Sequence, residues 1–171
     1  MKNLVLLGFM GSGKTTVGQM AARELGLRFV DTDQVIEQQE KLPISEIFAR
    51  SGETIFRDIE SRVITELSGQ SGLVIATGGG VVLRPANLSA LEGNGILIHL
   101  HTNASTVYDR TKRHTHRPLL QTDDPRRRIQ ELLEQRQPLY DALPNHVNTV
   151  QRPTRQVCAD VIRIYRMGTA S

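Results

Sequence analysis

Residues 3–18 read NLVLLGFMGSGKTTVG, and this stretch decides the fold. Residues 8–15 match the pattern GxxxxGK[ST], with an apolar run before them at 3–7 and a helical pattern after them at 14–25. In a strand, loop and helix of this kind, the glycines turn backbone N–H groups toward a phosphate chain and the helix N-terminus adds positive potential. The sequence therefore predicts a phosphate-binding loop.

Each polar residue of this loop has a chemical use. Lys14 adds a point charge beside the phosphates, and the Thr15 hydroxyl is placed to ligate Mg²⁺. A loop of this type is common to kinases, GTPases and motor ATPases, so it does not identify the acceptor of the phosphate. The predicted nucleotide-binding residues here are Gly11, Ser12, Gly13, Lys14, Thr15 and Thr16.

Short apolar runs alternate with helical patterns along the rest of the chain, which is typical of a parallel α/β sheet. The carboxyl ends of parallel strands lie at one edge of the sheet, where ligands of open α/β proteins bind. At 171 residues the chain fits a single domain, 1–171. Five strands are predicted at 3–7, 28–30, 73–76, 96–100 and 146–150, with helices at 14–25, 33–40, 45–50, 53–68, 86–92, 103–111, 125–142 and 154–167.

Composition restricts the partners and the location of the protein. The net charge is only +3, and no Trp, 3 Tyr and 4 Phe leave few platforms for stacking bases, so nucleic acid is a minor hypothesis. Arginine predominates among the basic residues, which suits small anionic ligands. The single cysteine, Cys158, and the absence of a secretory or membrane-spanning apolar segment predict a cytoplasmic protein without a membrane partner. A monomer is the default expectation.

Two carboxylates end the second predicted strand, in the sequence Asp31-Thr32-Asp33. Two residues apart in an extended segment, they would point the same way, toward the crevice at the strand ends. One could hold a magnesium-bound water and the other could accept a proton from an acceptor hydroxyl. The alternative is that the segment only caps the next helix, since Asp33 is a good N-cap residue.

Six motifs together resemble the shikimate kinase family, in the family's order and approximate spacing over residues 3–165. The resemblance implies a three-layer P-loop NTPase fold of the nucleoside-monophosphate-kinase type, with a five-stranded parallel sheet flanked by helices. It also implies a substrate-binding region at about 33–61 and a mobile lid at about 111–123, which would keep water from the γ-phosphate of ATP. The motifs are GFMGSGKTTVG at 8–18, DTD at 31–33, GETIFRDIE at 52–60, GGG at 78–80, RPLL at 117–120 and RQPLY at 136–140.

The resemblance also implies roles for the acceptor side. Asp33 takes the role of base or orienting group for the reacting hydroxyl, and Asp31 that of a magnesium ligand through water. Arg57, oriented by Glu60, and Arg136 would grip the carboxylate of shikimate. The alternative without a functional role is that Arg57 and Glu60 form a surface ion pair, three residues apart on a helix. The turn Gly78, Gly79 and Gly80 would bring substrate to backbone N–H groups, or is a plain loop.

On the nucleotide side, the resemblance places Arg110 over the adenine, with Arg152 and Pro153 lining its other face. The alternative is that Arg110 is only a cation at a helix C-terminus, where the helix dipole favours it. Arg117 resembles the lid arginine that offsets charge on the transferring phosphoryl group, against the alternative of a solvated charge. The expected catalytic residues are thus Lys14, Asp33 and Arg117.

The predicted function is shikimate kinase activity, which transfers the γ-phosphate of Mg-ATP to the 3-hydroxyl of shikimate. The alternative within the same fold is another small-metabolite kinase, such as a gluconate kinase. That enzyme would not need the set of Asp31, Asp33, Arg57, the three glycines and Arg136 together. The alternative of another class is a nucleic-acid-associated nucleotide-binding protein, for which only the abundance of arginine argues.

Overall fold

Five parallel strands form one sheet in a computed structural model that describes residues 1–113 and 118–170. The strand order is β2-β3-β1-β4-β5, and every neighbouring pair is parallel. The carboxyl ends of all five strands therefore lie at one edge, and the predicted five-stranded parallel sheet is confirmed. The strands are β1 Asn3–Leu7, β2 Arg28–Asp31, β3 Leu73–Ala76, β4 Gly95–His101 and β5 His146–Asn148.

Seven helices flank this sheet in the described residues, with two short 3-10 turns at Val81–Leu83 and Pro118–Leu120. The two helices predicted at 45–50 and 53–68 are both present within the element Ile44–Ser68, where the non-helical backbone of Gly52, with a φ of 81° and a ψ of 175°, separates them. The helices are α1 Lys14–Leu25, α2 Thr32–Glu40, α3 Ile44–Ser68, α4 Pro85–Gly93, α5 Ala104–Thr111, α6 Pro125–Asp141 and α7 Thr154–Thr169.

The last strand is shorter than predicted. It ends at Asn148 rather than 150, because the backbone turns at Gln151, whose φ is 53°. Arg152 N donates to Thr149 O at 3.4 Å across this turn. The turn brings Arg152 to the carboxyl edge of the sheet.

Side chains of the central strand alternate between two apolar cores. Val5 and Leu7 pack with the buried residues of α2 to α6, whereas Leu4 and Leu6 pack with those of α1 and α7. The result is three layers, with the sheet in the middle. No helix in the described ranges is long and apolar enough to span a membrane.

Candidate active site

Three adjoining cavities lie along the carboxyl edge of the sheet. The first, here called the Arg57 cavity, has a volume of about 320 Å³ and is walled by α2, α3, the glycine turn and α6. The second, the Lys14 cavity, measures about 170 Å³ and adjoins the first at Asp31, Asp33 and Gly78. The third, the Arg110 cavity, measures about 320 Å³ and adjoins the second at Gly11, Gly13 and Thr16. Together they form one continuous crevice.

Arg57 is buried in the wall of the first cavity. Its Nη1 donates to Glu60 Oε1 at 2.9 Å, its Nη2 to Glu53 Oε1 at 3.3 Å, and its guanidinium lies 5.1 Å from the centre of the Phe56 ring. The interpretation of Arg57 and Glu60 as a surface pair is therefore wrong, since Glu60 is 1% exposed. Arg57 Nε and Glu60 Oε2 are buried and have no hydrogen-bond partner in the described part of the chain. Unpartnered atoms of this kind are costly unless a ligand satisfies them.

Arg136 faces the same cavity from α6. It is 2% exposed, its guanidinium lies 5.6 Å from the centre of the Phe9 ring, and its Nη1 has no partner among the described residues. Burial lowers the pKa of Arg136, because the charged form is desolvated. Two desolvated guanidinium groups on one cavity favour an anion that both can bind, such as a carboxylate.

Glu60 sits among these cations. Burial raises the pKa of its carboxyl group, the neighbouring Arg57 opposes this, and the Asp33 charge adds to the rise. The Glu60 carboxyl can therefore accept hydrogen bonds from Arg57 on one side and meet a polar ligand atom through Oε2 on the other.

The glycine turn after β3 has a use besides the predicted one. Gly78 N donates to Thr32 Oγ1 at 2.9 Å, while the prediction that the turn offers backbone N–H groups to a ligand stays a prediction for Gly79 and Gly80. A Cβ at Gly78 would lie 2.8 Å from Asp33 Oδ1 and 2.9 Å from Glu60 Oε2, and one at Gly80 would overlap the Arg57 guanidinium. The glycines therefore make room for the charged side chains of the Arg57 cavity.

Asp31 and Asp33 both line the first two cavities, although the reason given from sequence is wrong. The segment is not extended through Asp33, because α2 begins at Thr32. Asp31, rather than Asp33, is the N-cap: its Oδ1 accepts from Asp33 N at 3.0 Å and from Gln34 N at 3.4 Å. Its Oδ2 accepts from Thr15 Oγ1 at 3.0 Å. One carboxylate thus both caps the helix and reaches the phosphate-binding loop.

The phosphate-binding loop has the predicted local structure. Gly13 has a φ of 93° and precedes α1, and Lys14 Nζ lies in the loop, donating to Gly8 O at 2.6 Å and Phe9 O at 2.9 Å. Lys14, Thr15 and Thr16 line the Lys14 cavity with Gly11 and Gly13, whereas Ser12 lines the Arg110 cavity.

Arg110 and Arg152 line the Arg110 cavity, beside the phosphate-binding loop. Arg110 Nη1 donates to Gly11 O at 2.8 Å, so it binds the loop backbone besides lying in the last turn of α5. Arg152 is held by Asn148 O at 3.0 Å and Asp160 Oδ2 at 2.8 Å, and both arginines line the Arg110 cavity. Pro153 is the N-cap of α7 and is not in that lining. Arg117 and the centre of the predicted lid lie outside the described residues.

Two buried residues that support the glycine turn from behind were not predicted. Thr32 holds Gly78, and the Tyr140 hydroxyl donates to Gly79 O at 2.7 Å. A signal was present for both: Thr32 stands between the two aspartates, and Tyr140 follows Arg136 by four residues in the RQPLY motif, on one helix face. The lining residues of the Arg57 cavity that were not named individually lie, apart from Met10, within the predicted ranges 33–61 and 111–123: Gln34, Glu37, Pro43, Ile44, Ser45, Pro118 and Leu119.

Comparison with known proteins decides the family. The family model described as shikimate kinase matches residues 10–166. The chain belongs to the shikimate kinase family. A shikimate kinase of Thermodesulfovibrio yellowstonii is 45% identical over 165 residues, covering 96% of this chain and 95% of the relative. The resemblance inferred from six motifs is thereby confirmed.

Solved structures agree with this assignment to the shikimate kinase family. A shikimate kinase from Acinetobacter baumannii, in complex with shikimate, superposes with a TM-score of 0.94 at 35% identity, covering 100% of this chain and 96% of the other. A gluconokinase from Sinorhizobium meliloti reaches a TM-score of 0.64 at 17% identity over 99% of this chain and 94% of its own, which shows the fold alone. The P-loop kinase fold that the sequence predicted is confirmed.

Proposed function

We propose that this protein is an ATP-dependent kinase that phosphorylates the 3-hydroxyl of shikimate. The single observation that carries the proposal is the pair of buried arginines, Arg57 and Arg136, on one cavity that adjoins the phosphate-binding loop. Shikimate is a small polyhydroxylated carboxylate, so it offers an anion for the two guanidinium groups and hydroxyls for Glu60 and Asp33. Membership of the shikimate kinase family favours this function over the gluconate kinase alternative.

In the proposed reaction, Arg57 and Arg136 bind the acceptor carboxylate and thereby set the ring in the Arg57 cavity. This positioning lowers the entropic cost of bringing the hydroxyl to the γ-phosphorus. Asp33 accepts the hydroxyl proton or orients it, the oxygen bonds to the γ-phosphorus, and the bond from phosphorus to the β–γ bridging oxygen breaks to release ADP. Lys14 offsets the negative charge on the phosphates.

A magnesium ion fits the residues between the two cavities. Thr15 Oγ1 and Asp31 Oδ2 are 3.0 Å apart and are hard oxygen ligands. Mg²⁺ commonly keeps several waters and is bound by one or two protein ligands together with substrate phosphates. Thr15 and Asp31 are the residues that would hold it, and the ion would supply charge neutralisation to the phosphates.

The remaining assignments extend this proposal. Residues 33–61 act as the substrate-binding region and 111–123 as a lid that excludes water, with Arg117 bringing a charge to the transferring phosphoryl group. Arg110, Arg152 and Pro153 flank the adenine. A cytoplasmic location also belongs to this proposal. A monomer stays a prediction.

The experiment that tests the function measures ADP release from Mg-ATP with shikimate, gluconate, AMP or no acceptor. We expect turnover on the order of 1 to 100 per second with shikimate alone. Asp33→Asn should lose about 10²- to 10⁴-fold in kcat, the typical contribution of general base catalysis. Arg57→Ala should raise the KM for shikimate and leave the KM for ATP near its wild-type value.

Arg62→Ala is the matched control for Arg57→Ala. Arg62 lies on the same helix and its side chain is 52% exposed in an ion pair with Glu40, so its loss should leave both KM values unchanged. Turnover with gluconate or AMP instead of shikimate would overturn the assignment of shikimate as acceptor, while the assignment as a kinase would stand. ADP release that no acceptor affects would favour a nucleotide-binding protein.

A further inference from the structure

Tyr140 joins two parts of the Arg57 cavity. It follows Arg136 by one turn of α6, so the two side chains lie on the same face of the helix. The Tyr140 ring is 1% exposed, and its hydroxyl donates to Gly79 O at 2.7 Å. Arg136 Nη1 reaches the same residue, 3.4 Å from where a Cβ on Gly79 would stand. The helix that carries Arg136 is thus bonded to the glycine turn next to the guanidinium.

The Tyr140 ring packs against His99, which in turn contacts His146. The His99 ring stacks on the Tyr140 ring with 4.7 Å between centroids and 2° between planes. His146 Nε2 donates to Leu143 O at 2.8 Å, and His146 Nδ1 lies at hydrogen-bond distance, 3.1 Å, from His99 Nδ1. His99 lies on β4 and is 3% exposed. Its ring therefore limits the positions that the Tyr140 ring of α6 can take.

Arg136 takes its support from Tyr140: burial lowers the pKa of Arg136, and the charge and side-chain hydrogen bond of Tyr140 oppose this. Its Nη1 has no hydrogen-bond partner in the described residues, and its guanidinium lies over an apolar ring, Phe9. A long side chain in that position keeps its direction only if the helix and the facing turn are held in register. Tyr140 is the side chain that bonds one to the other.

We propose that Tyr140, backed by His99, is a positioning residue that sets Arg136 and the Gly78–Gly80 turn for binding of the acceptor carboxylate. The proposal rests on the function proposed above, because it concerns the same cavity. It assigns Tyr140 no contact with substrate. Its effect should therefore fall on shikimate binding and not on the nucleotide.

The test compares Tyr140→Phe with Tyr165→Phe. Tyr165 is an internal match: it is 5% exposed and its hydroxyl donates to a backbone carbonyl, Lys2 O, at 2.7 Å, but on the opposite side of the sheet. Both variants keep the ring and lose a part-buried hydrogen bond to a backbone carbonyl, and Tyr140→Phe also loses the side-chain hydrogen bond with Arg136. We expect Tyr140→Phe to raise the KM for shikimate about 3- to 10-fold, as loss of one hydrogen bond typically costs, with kcat and the KM for ATP little changed. Tyr165→Phe should leave all three constants near wild type.

Hydrogen exchange without substrate separates this inference from the proposed function. Amides of residues 78–80 should exchange faster in Tyr140→Phe than in wild type, and at the wild-type rate in Tyr165→Phe. Unchanged exchange at this turn, or equal KM values for shikimate in the two variants, would overturn the positioning role. If the wild-type protein turned over without using shikimate, the function would fall while the exchange comparison still decided whether Tyr140 tethers the turn.

Discussion

The Arg57 cavity and the Arg110 cavity are equal in volume, about 320 Å³ each, but are built differently. The charged groups of the first are buried side chains: Arg57, Glu60 and Arg136 are 7%, 1% and 2% exposed. In the second, Arg110 is exposed and Arg152 half-buried, and both donate to backbone carbonyls. Water can replace an exposed contact but not a buried one. Changes to the Arg57 cavity should therefore cost more.

The largest effect is expected from Gly80→Ala. A Cβ at this position would overlap the Arg57 guanidinium, which is held by Glu60 and Glu53 and cannot move without breaking those bonds. A displacement of about 1 Å typically costs on the order of 10²-fold, so we expect that loss in kcat/KM for shikimate. Steady-state kinetics with each substrate varied would measure it, and the KM for ATP should stay close to wild type.

Gly18→Ala is the control for this change, since it adds the same methyl group elsewhere. Its Cβ would lie 2.6 Å from the Phe29 ring in the other core, far from Arg57. We expect a loss of stability with little change in shikimate KM. An equal loss of kcat/KM for both substrates in Gly80→Ala would contradict the explanation that the added methyl group displaces Arg57.

Arg136→Lys should have the next largest effect. Lysine keeps the charge but loses the planar fork that binds a carboxylate through two parallel bonds. Hydrogen bonds to charged groups contribute about 1.5–3 kcal/mol, so loss of one should raise the KM for shikimate roughly 10- to 100-fold. Calorimetric titration with shikimate would check the binding directly. Wild-type affinity in this variant would mean that the fork is not used.

The fold followed from the sequence more completely than the site did. Patterns of apolar residues and the glycine-rich loop predict strands and helices because they depend on local periodicity. The sequence did not predict which side chains lie against Gly78 and Gly80, because a missing side chain does not tell which neighbour uses the space. That neighbour, Asp33 or Arg57, comes from a different helix and is seen only in three dimensions.

The burial of the charged site residues was also not predictable from the local sequence pattern. Arg57 and Glu60 have the spacing of a surface ion pair, and nothing in their helix says that the glycine turn and α6 cover them. Asp31 capping α2 while accepting from Thr15 likewise depends on the meeting of β2 with the phosphate-binding loop. The family resemblance predicted that these residues belong to the site. The structure shows which contacts hold each of them there.

A smaller effect is expected on stability in acid, because the wall behind Tyr140 contains a buried histidine. Burial lowers the pKa of His99 to about 4 from an ordinary 6.5, with His146 and His101 lowering it further, Asp141 opposing and Lys14 adding slightly. Between these two values the unfolded chain binds more protons than the folded one. The free energy of unfolding should therefore fall by about 2 kcal/mol as the pH drops from 6.5 to 4.

His99→Phe tests this origin of the acid sensitivity. Phenylalanine keeps a flat ring against Tyr140 but cannot be protonated. Urea unfolding at several pH values should show a weaker fall in stability below pH 6.5 for the variant than for the wild type. Parallel curves for the two proteins would mean that another group causes the fall.

The smallest effect should come from Arg110→Ala, on the nucleotide side. This exposed arginine contributes one bond to Gly11 O, and exposed charge contacts contribute about 0.2–1 kcal/mol, so we expect a rise in the KM for ATP of roughly 2- to 5-fold. Arg127→Ala is the control, because the Arg127 side chain is 78% exposed, pairs with Glu131 at 3.0 Å and lines none of the three cavities. A loss in Arg110→Ala as large as that in Arg136→Lys would break the contrast between the two cavities. It would mean that Arg110 is desolvated when the nucleotide binds, and that the nucleotide side also depends on a buried charge.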